Sequence, residues 1–101
     1  MNSYALTAAA AADLRQIARH TLKQWGTEQA TRYITSLNLA FENLAAYPET
    51  GRPVSEVRQG YFRFESGSHA VFYRKQAPGI LIVRVLHQRM EPGRHLRNDT
   101  I

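Results

Sequence analysis

"YFRFESGSHAVFYRKQAPGILIVRVLH" (61–87) is the stretch that decides the fold. Its period is close to two. Phe62 and Phe64 alternate with Arg63 and Glu65, "SGS" (66–68) reads as a tight turn, and "HAVFYRK" (69–75) is rich in β-formers. "QAPG" (76–79) is a second turn and "ILIVRVLH" (80–87) a nearly continuous apolar run. Short strands separated by turn residues predict a three-stranded antiparallel meander. The unbroken apolar character of 80–87 predicts a strand buried on both faces. Plain alternation sends Leu81, Val83 and Val85 to one face and Ile80, Ile82 and Leu86 to the other.

Upstream the period is helical. An alanine run from Ala8 favours helix, and Thr7 is placed to cap it. Leu14, Ile17, Ala18, Thr21 and Trp25 form one stripe, on which Trp25 is expected to close the end of the core. Gly26 ends this helix, and Thr27 is expected to cap the next, with Glu28 near its positive end. Ala30, Tyr33, Ile34, Leu37, Phe41 and Leu44 make the second stripe, which Pro48 stops. A linker of about two residues predicts an antiparallel helical hairpin. "SYALT" (3–7) reads as a brief strand and "YPETGRPVSEV" (47–57) as a loop.

The expected order is β-α-α-β-β-β, an α+β fold with a helical hairpin packed on a small antiparallel sheet. Residues 1–96 form one domain and 97–101 a C-terminal tail. Two helices cover only one sheet face. The other is therefore expected to expose aliphatic side chains beside Arg63 and Arg84, a mark of a protein-binding surface.

The chain has 101 residues and no cysteine, so disulfides and thiolate metal sites are excluded. Its N-terminus does not read as a signal peptide, and no apolar run approaches the ~20 residues needed to span a bilayer. A cytoplasmic protein without membrane association is expected. Residues 1–50 carry four bases and four acids, whereas 51–101 carry nine bases and four acids, so the entire net charge of +5 lies in the second half. That asymmetry suits an acidic partner.

Catalytic signatures are few. His69, His87 and His95 show neither an i, i+4 pair nor HExxH, so no metal site is expected. There is no GxSxG elbow and no Gly-rich phosphate loop. A basic and aromatic set remains: Arg58, Tyr61, Arg63, His69, Tyr73, Arg84, His87, Arg89, Arg94 and His95. Gathered on one face, such groups bind phosphate and can support metal-free RNA cleavage. Left apart, they are a solvated basic rim.

"YALTAAAAADLRQIARHTLKQWGTEQATRYITSL" (4–37) resembles the helical hairpin of ParE toxins of the ParE/RelE superfamily. "ETGRP" (49–53), "YFRFESGSHAVFYR" (61–74) and "ILIVRVLHQRMEPGRHL" (80–96) resemble the remainder in order and spacing. The resemblance runs from Tyr4 to Leu96. It implies a RelE-like fold, no cofactor, and a toxin of a type II toxin-antitoxin system that inhibits DNA gyrase without catalysis. It also implies neutralisation by a ParD-like antitoxin of ribbon-helix-helix type, through which alone operator DNA would be contacted.

On that resemblance, Arg63, His69, Arg84, His87, Arg89, Arg94 and His95 are the expected gyrase-directed surface. Leu14, Ile17, Trp25, Tyr33, Leu37, Phe72 and Ile82 are the expected antitoxin contacts. Two alternatives stand beside it. One is a RelE-like ribosome-dependent mRNA endoribonuclease, for which His69, Arg89 and His95 match in position, Arg63 matches loosely, and the central lysines are missing. The other is an inactive homologue serving only in antitoxin-mediated co-repression.

Overall fold

The computed structural model describes residues 3–96; the expected tail at 97–101 lies outside them. Strand β1 (Tyr4–Leu6) leads into helices α1 (Ala8–Trp25) and α2 (Thr27–Ala46). Strands β2 (Arg52–Pro53), β3 (Tyr61–Ser66), β4 (His69–Gln76) and β5 (Gly79–His87) follow, then a short helix α3 (Pro92–Leu96). The sheet order is β1-β5-β4-β3-β2. The predicted meander is β3-β4-β5. Around it the sheet is mixed, because β1 pairs parallel to β5 at one edge and β2 adds two residues at the other.

Local chemistry explains the helices. The Thr7 hydroxyl accepts the Ala10 N–H at 3.0 Å and caps α1 as expected. Gly26, at φ 91°, ends it. The same glycine starts α2 without a side-chain cap, so Thr27 is the first helical residue rather than a cap. A one-residue junction leaves no room for a separate capping position.

One core lies between the hairpin and the sheet, built on Ile17, Leu37, Phe41, Leu44, Val71, Tyr73, Ile80, Ile82 and Val85. A second lies on the opposite sheet face: Val54, Tyr61, Ala70, Phe72, Leu81, Val83, Leu86 and Leu96. The expectation of an exposed aliphatic face is overturned here. Leu81, Val83 and Leu86 are 7%, 1% and 2% exposed. The segment after β2 turns back under the sheet, with the Val54 carbonyl accepting the Val57 and Arg58 N–H groups, and Val54, Val57 and Leu96 share the core beneath. Burial of apolar area drives this closure.

The facing of β5 also departs from plain alternation. Phe72 pairs with Arg84 but Tyr73 with Ile82, so Val83 is an extra residue in the ladder. This β-bulge flips the parity of everything after it. Val85 returns to the helical side with Ile80 and Ile82, while Leu86 joins Leu81 and Val83.

Candidate functional site

The bulge assembles the most distinctive feature of the molecule. With parity flipped, His87 stands opposite His69 on β4, their ring centroids 5.6 Å apart. His20 from α1 and His95 from α3 complete the rim, so all four histidines of the chain line one half-enclosed cleft of ≈ 330 Å³. Ile17, Val85 and Met90 supply much of its apolar wall.

At its base, Arg84 grips Asp13 through two hydrogen bonds, Nε donating at 2.8 Å and Nη2 at 2.9 Å. The Asp13 carboxylate also accepts the Val85 N–H at 2.9 Å. Past the end of β1, the edge of β5 has no strand partner among the described residues, and Thr7 and α1 substitute. The Thr7 N–H donates to the Ile82 carbonyl, its hydroxyl donates to that of Val83, and Asp13 takes the N–H of Val85. Arg84 Nη1 further donates to the His95 carbonyl at 3.3 Å, tying α3 to the same point.

The imidazole of His69 is held below its usual pKa of 6.5. Burial dominates, neighbouring His87 and His20 add to it, and Asp13 opposes it. Tyr33 on α2 fixes the ring: its hydroxyl lies 2.6 Å from His69 Nδ1 and accepts the Ser68 N–H at 2.9 Å. Gly67 permits this approach. It sits at φ 59°, and a Cβ there would lie 2.6 Å from the Tyr33 hydroxyl. Among the described residues no three His, Asp or Glu side chains converge as metal ligands.

Of the seven residues expected on the gyrase-directed surface, His69, Arg84, His87 and His95 line this cleft. Arg89 adjoins it, donating its backbone N–H to His87 Nδ1 at 3.1 Å, and Arg94 is exposed on α3. Arg63 is elsewhere. It pairs with Phe72 across strands, stacks on that ring at 5.4 Å and bonds Glu65 at 2.9 Å, all on the opposite sheet face. Strand alternation therefore separates Arg63 from His69. It also gathers Arg63 with Arg52 and Arg74, near Arg58 stacked 5.7 Å from the Tyr61 ring centre, as a second cationic patch.

The expected antitoxin contacts divide by burial. Ile17, Leu37, Phe72 and Ile82 are core residues, 8%, 1%, 1% and 0% exposed, and offer no surface while the fold persists. Leu14 and Tyr33 are half-buried. Trp25 is 72% exposed and does not close the core, because α1 carries it beyond the end of the sheet packing. Leu22 beside it is also exposed.

Sequence reasoning missed His20. The signal was present: Asp13, Ile17 and His20 are spaced i, i+4, i+7 and share one helix face.

Comparison with known proteins follows the same outline. Residues 4–92 match the family described as the ParE toxin of the type II toxin-antitoxin system, parDE. The chain is 44% identical over 94 residues to Toxin ParE1 of Mycobacterium tuberculosis, covering 92% of this chain and 96% of that one. Among solved structures it resembles one described as the chromosomal ParDE TA system from P. aeruginosa, with TM-score 0.72 and 26% identity over 86% of this chain and 96% of that one. The RelBE2 toxin-antitoxin complex of M. tuberculosis shares the fold at TM-score 0.59 and 23% identity, over 86% of this chain and 98% of that one.

Proposed function

The chain belongs to the ParE toxin family of type II toxin-antitoxin systems, and from that premise we propose that it inhibits DNA gyrase by binding rather than by catalysis. Family membership over nearly the whole chain carries the reading. The cationic residues of the second half supply a surface for a gyrase–DNA complex. His69, Arg84, His87, Arg89, Arg94 and His95 form one part of that surface, and Arg63 contributes from the other sheet face.

Binding is favoured over ribosome-dependent mRNA cleavage because the nuclease set is incomplete at the cleft: His69 and His95 line it and Arg89 adjoins it, but Arg63 stands apart and the central lysines have no counterpart. Arg63 and His69 occupy opposite faces, and Arg84 is engaged by Asp13. A general acid and base must reach one scissile phosphate together. Arg63 does not join His69 and His95 there.

A ParD-like ribbon-helix-helix antitoxin neutralises the toxin in this reading, and contact with operator DNA runs through it. Its C-terminal segment covers the tip of the hairpin, where Trp25 and Leu22 are exposed, and reaches the accessible edges of Leu14 and Tyr33 beside the sheet. The site of action is the cytoplasm.

Gyrase supercoiling with purified toxin tests the proposal. Loss of supercoiling with accumulation of cleaved DNA, reversed by antitoxin, is the expected result. Unimpaired gyrase together with codon-phased cuts in ribosome-bound mRNA would replace it with the nuclease reading. Growth unaffected by expression without antitoxin would leave only co-repression.

A further inference from the structure

The polar groups of the histidine cleft have a fixed sense. The Tyr33 hydroxyl already accepts the Ser68 N–H at 2.9 Å and has one proton to give. His69 Nδ1 lies at 2.6 Å and the Ser66 carbonyl at 3.4 Å, and the shorter contact assigns the hydroxyl proton to Nδ1 in preference to the carbonyl. His87 Nδ1 accepts the Arg89 N–H. An imidazole that accepts at Nδ1 carries its hydrogen at Nε2. With this assignment both neighbouring rings carry an Nε2–H donor, and both line the cleft. Among the described residues neither Nε2 has a hydrogen-bond acceptor. Asp13, the one carboxylate lining the cleft among the described residues, is neutralised by Arg84 and does not repel an anion. The wall between the donors and α1 includes the apolar side chains of Ile17, Val85 and Met90.

We propose that this cleft binds an organic carboxylate, with the charged head on the Nε2–H groups of His69 and His87 and an apolar body against Ile17, Val85 and Met90. Two donors match the two oxygens of a carboxylate. The apolar wall favours an acid with a body to bury over inorganic phosphate, which has none. The volume suits a small aromatic or aliphatic acid. The carboxylate comes either from a free metabolite-sized acid or from a peptide of the antitoxin; the second source alone rests on the function proposed above.

The probe is benzoate, titrated into the isolated chain while the imidazole nitrogens are followed by long-range ¹H–¹⁵N NMR. Saturable shifts at Nε2 of His69 and His87 are expected, with little response to benzyl alcohol or to inorganic phosphate at equal concentration. His87→Leu alters a half-exposed side chain and should weaken benzoate at least about tenfold. Absence of a saturable shift, or equal shifts with benzyl alcohol or phosphate, overturns the site. Repeating the titration on the toxin-antitoxin complex assigns the source. Loss of the response there identifies an antitoxin carboxylate as occupant, and retention identifies a free acid; both uphold the cleft. None of these readings depends on gyrase, so failure of the gyrase proposal is separately visible.

Discussion

Asp13 and Arg84, 71 residues apart in sequence, form a two-point ion pair at 2.8 and 2.9 Å, and the same carboxylate accepts the backbone N–H of Val85. One side chain thus closes an open strand edge and positions the arginine that reaches α3. Their side chains are 12% and 18% exposed, so solvent screens the pair weakly.

Removing the carboxylate strands a half-buried guanidinium and an unpaired N–H. Asp13→Ala should cost about 3 kcal/mol of unfolding free energy. Asp13→Asn, which keeps an acceptor, should cost less. Urea denaturation followed by circular dichroism measures both, and a change below about 0.5 kcal/mol for the alanine variant would contradict the role given to the pair.

Tyr73 fastens the loop before β2. Its hydroxyl donates to the Pro48 carbonyl at 2.8 Å and accepts the N–H of buried Gly51 at 2.9 Å. Tyr73→Phe should destabilise by about 1–3 kcal/mol through the two groups left unpaired. Gly51→Ala should do similar damage, since a Cβ there would lie 2.5 Å from the Tyr73 hydroxyl and 3.0 Å from the Arg63 carbonyl. Thermal melts of the two variants test this. This contact gives a physical reason for the glycine in "ETGRP".

Stability should fall in mild acid. His69 has its pKa lowered from 6.5 in the folded chain, by burial and by His87 and His20 against the opposing pull of Asp13. The unfolded chain therefore binds this proton first as pH falls. Its contribution is fully present above the unfolded pKa and is lost as pH drops through 6.5 toward the lower folded value. His69→Gln should flatten this part of a stability–pH profile measured between neutral and acid pH. An unchanged slope would assign it to other groups.

Trp25→Ala should change stability by less than about 0.5 kcal/mol, because the side chain is 72% exposed. The chain has one tryptophan, so its fluorescence reports on this position alone. Emission typical of water is expected for the free toxin, with a blue shift when the unmutated toxin binds antitoxin and weaker binding by the variant if the antitoxin covers the hairpin tip. An unshifted emission in a saturated complex would place the antitoxin elsewhere.

Periodicity along the chain determined the hairpin, the three-stranded meander and the α+β class. These are set by spacing within one element: Ala30, Tyr33, Ile34, Leu37, Phe41 and Leu44 must share a helix face wherever that helix lies. The basic second half and the residues His69, His87 and His95 were legible for the same local reason. The far side of the sheet was not, because its cover comes from Val54, Val57 and Leu96, which no period links to β5. Nor was the cleft. Its assembly depends on one extra residue, Val83, whose insertion shows only when β5 is laid against β4. Alternation read without that bulge sends Val85 away from the helices; with it, Val85 enters the core and His87 meets His69. A bulge is a mismatch between two strands, so only their pairing in three dimensions decides where it falls.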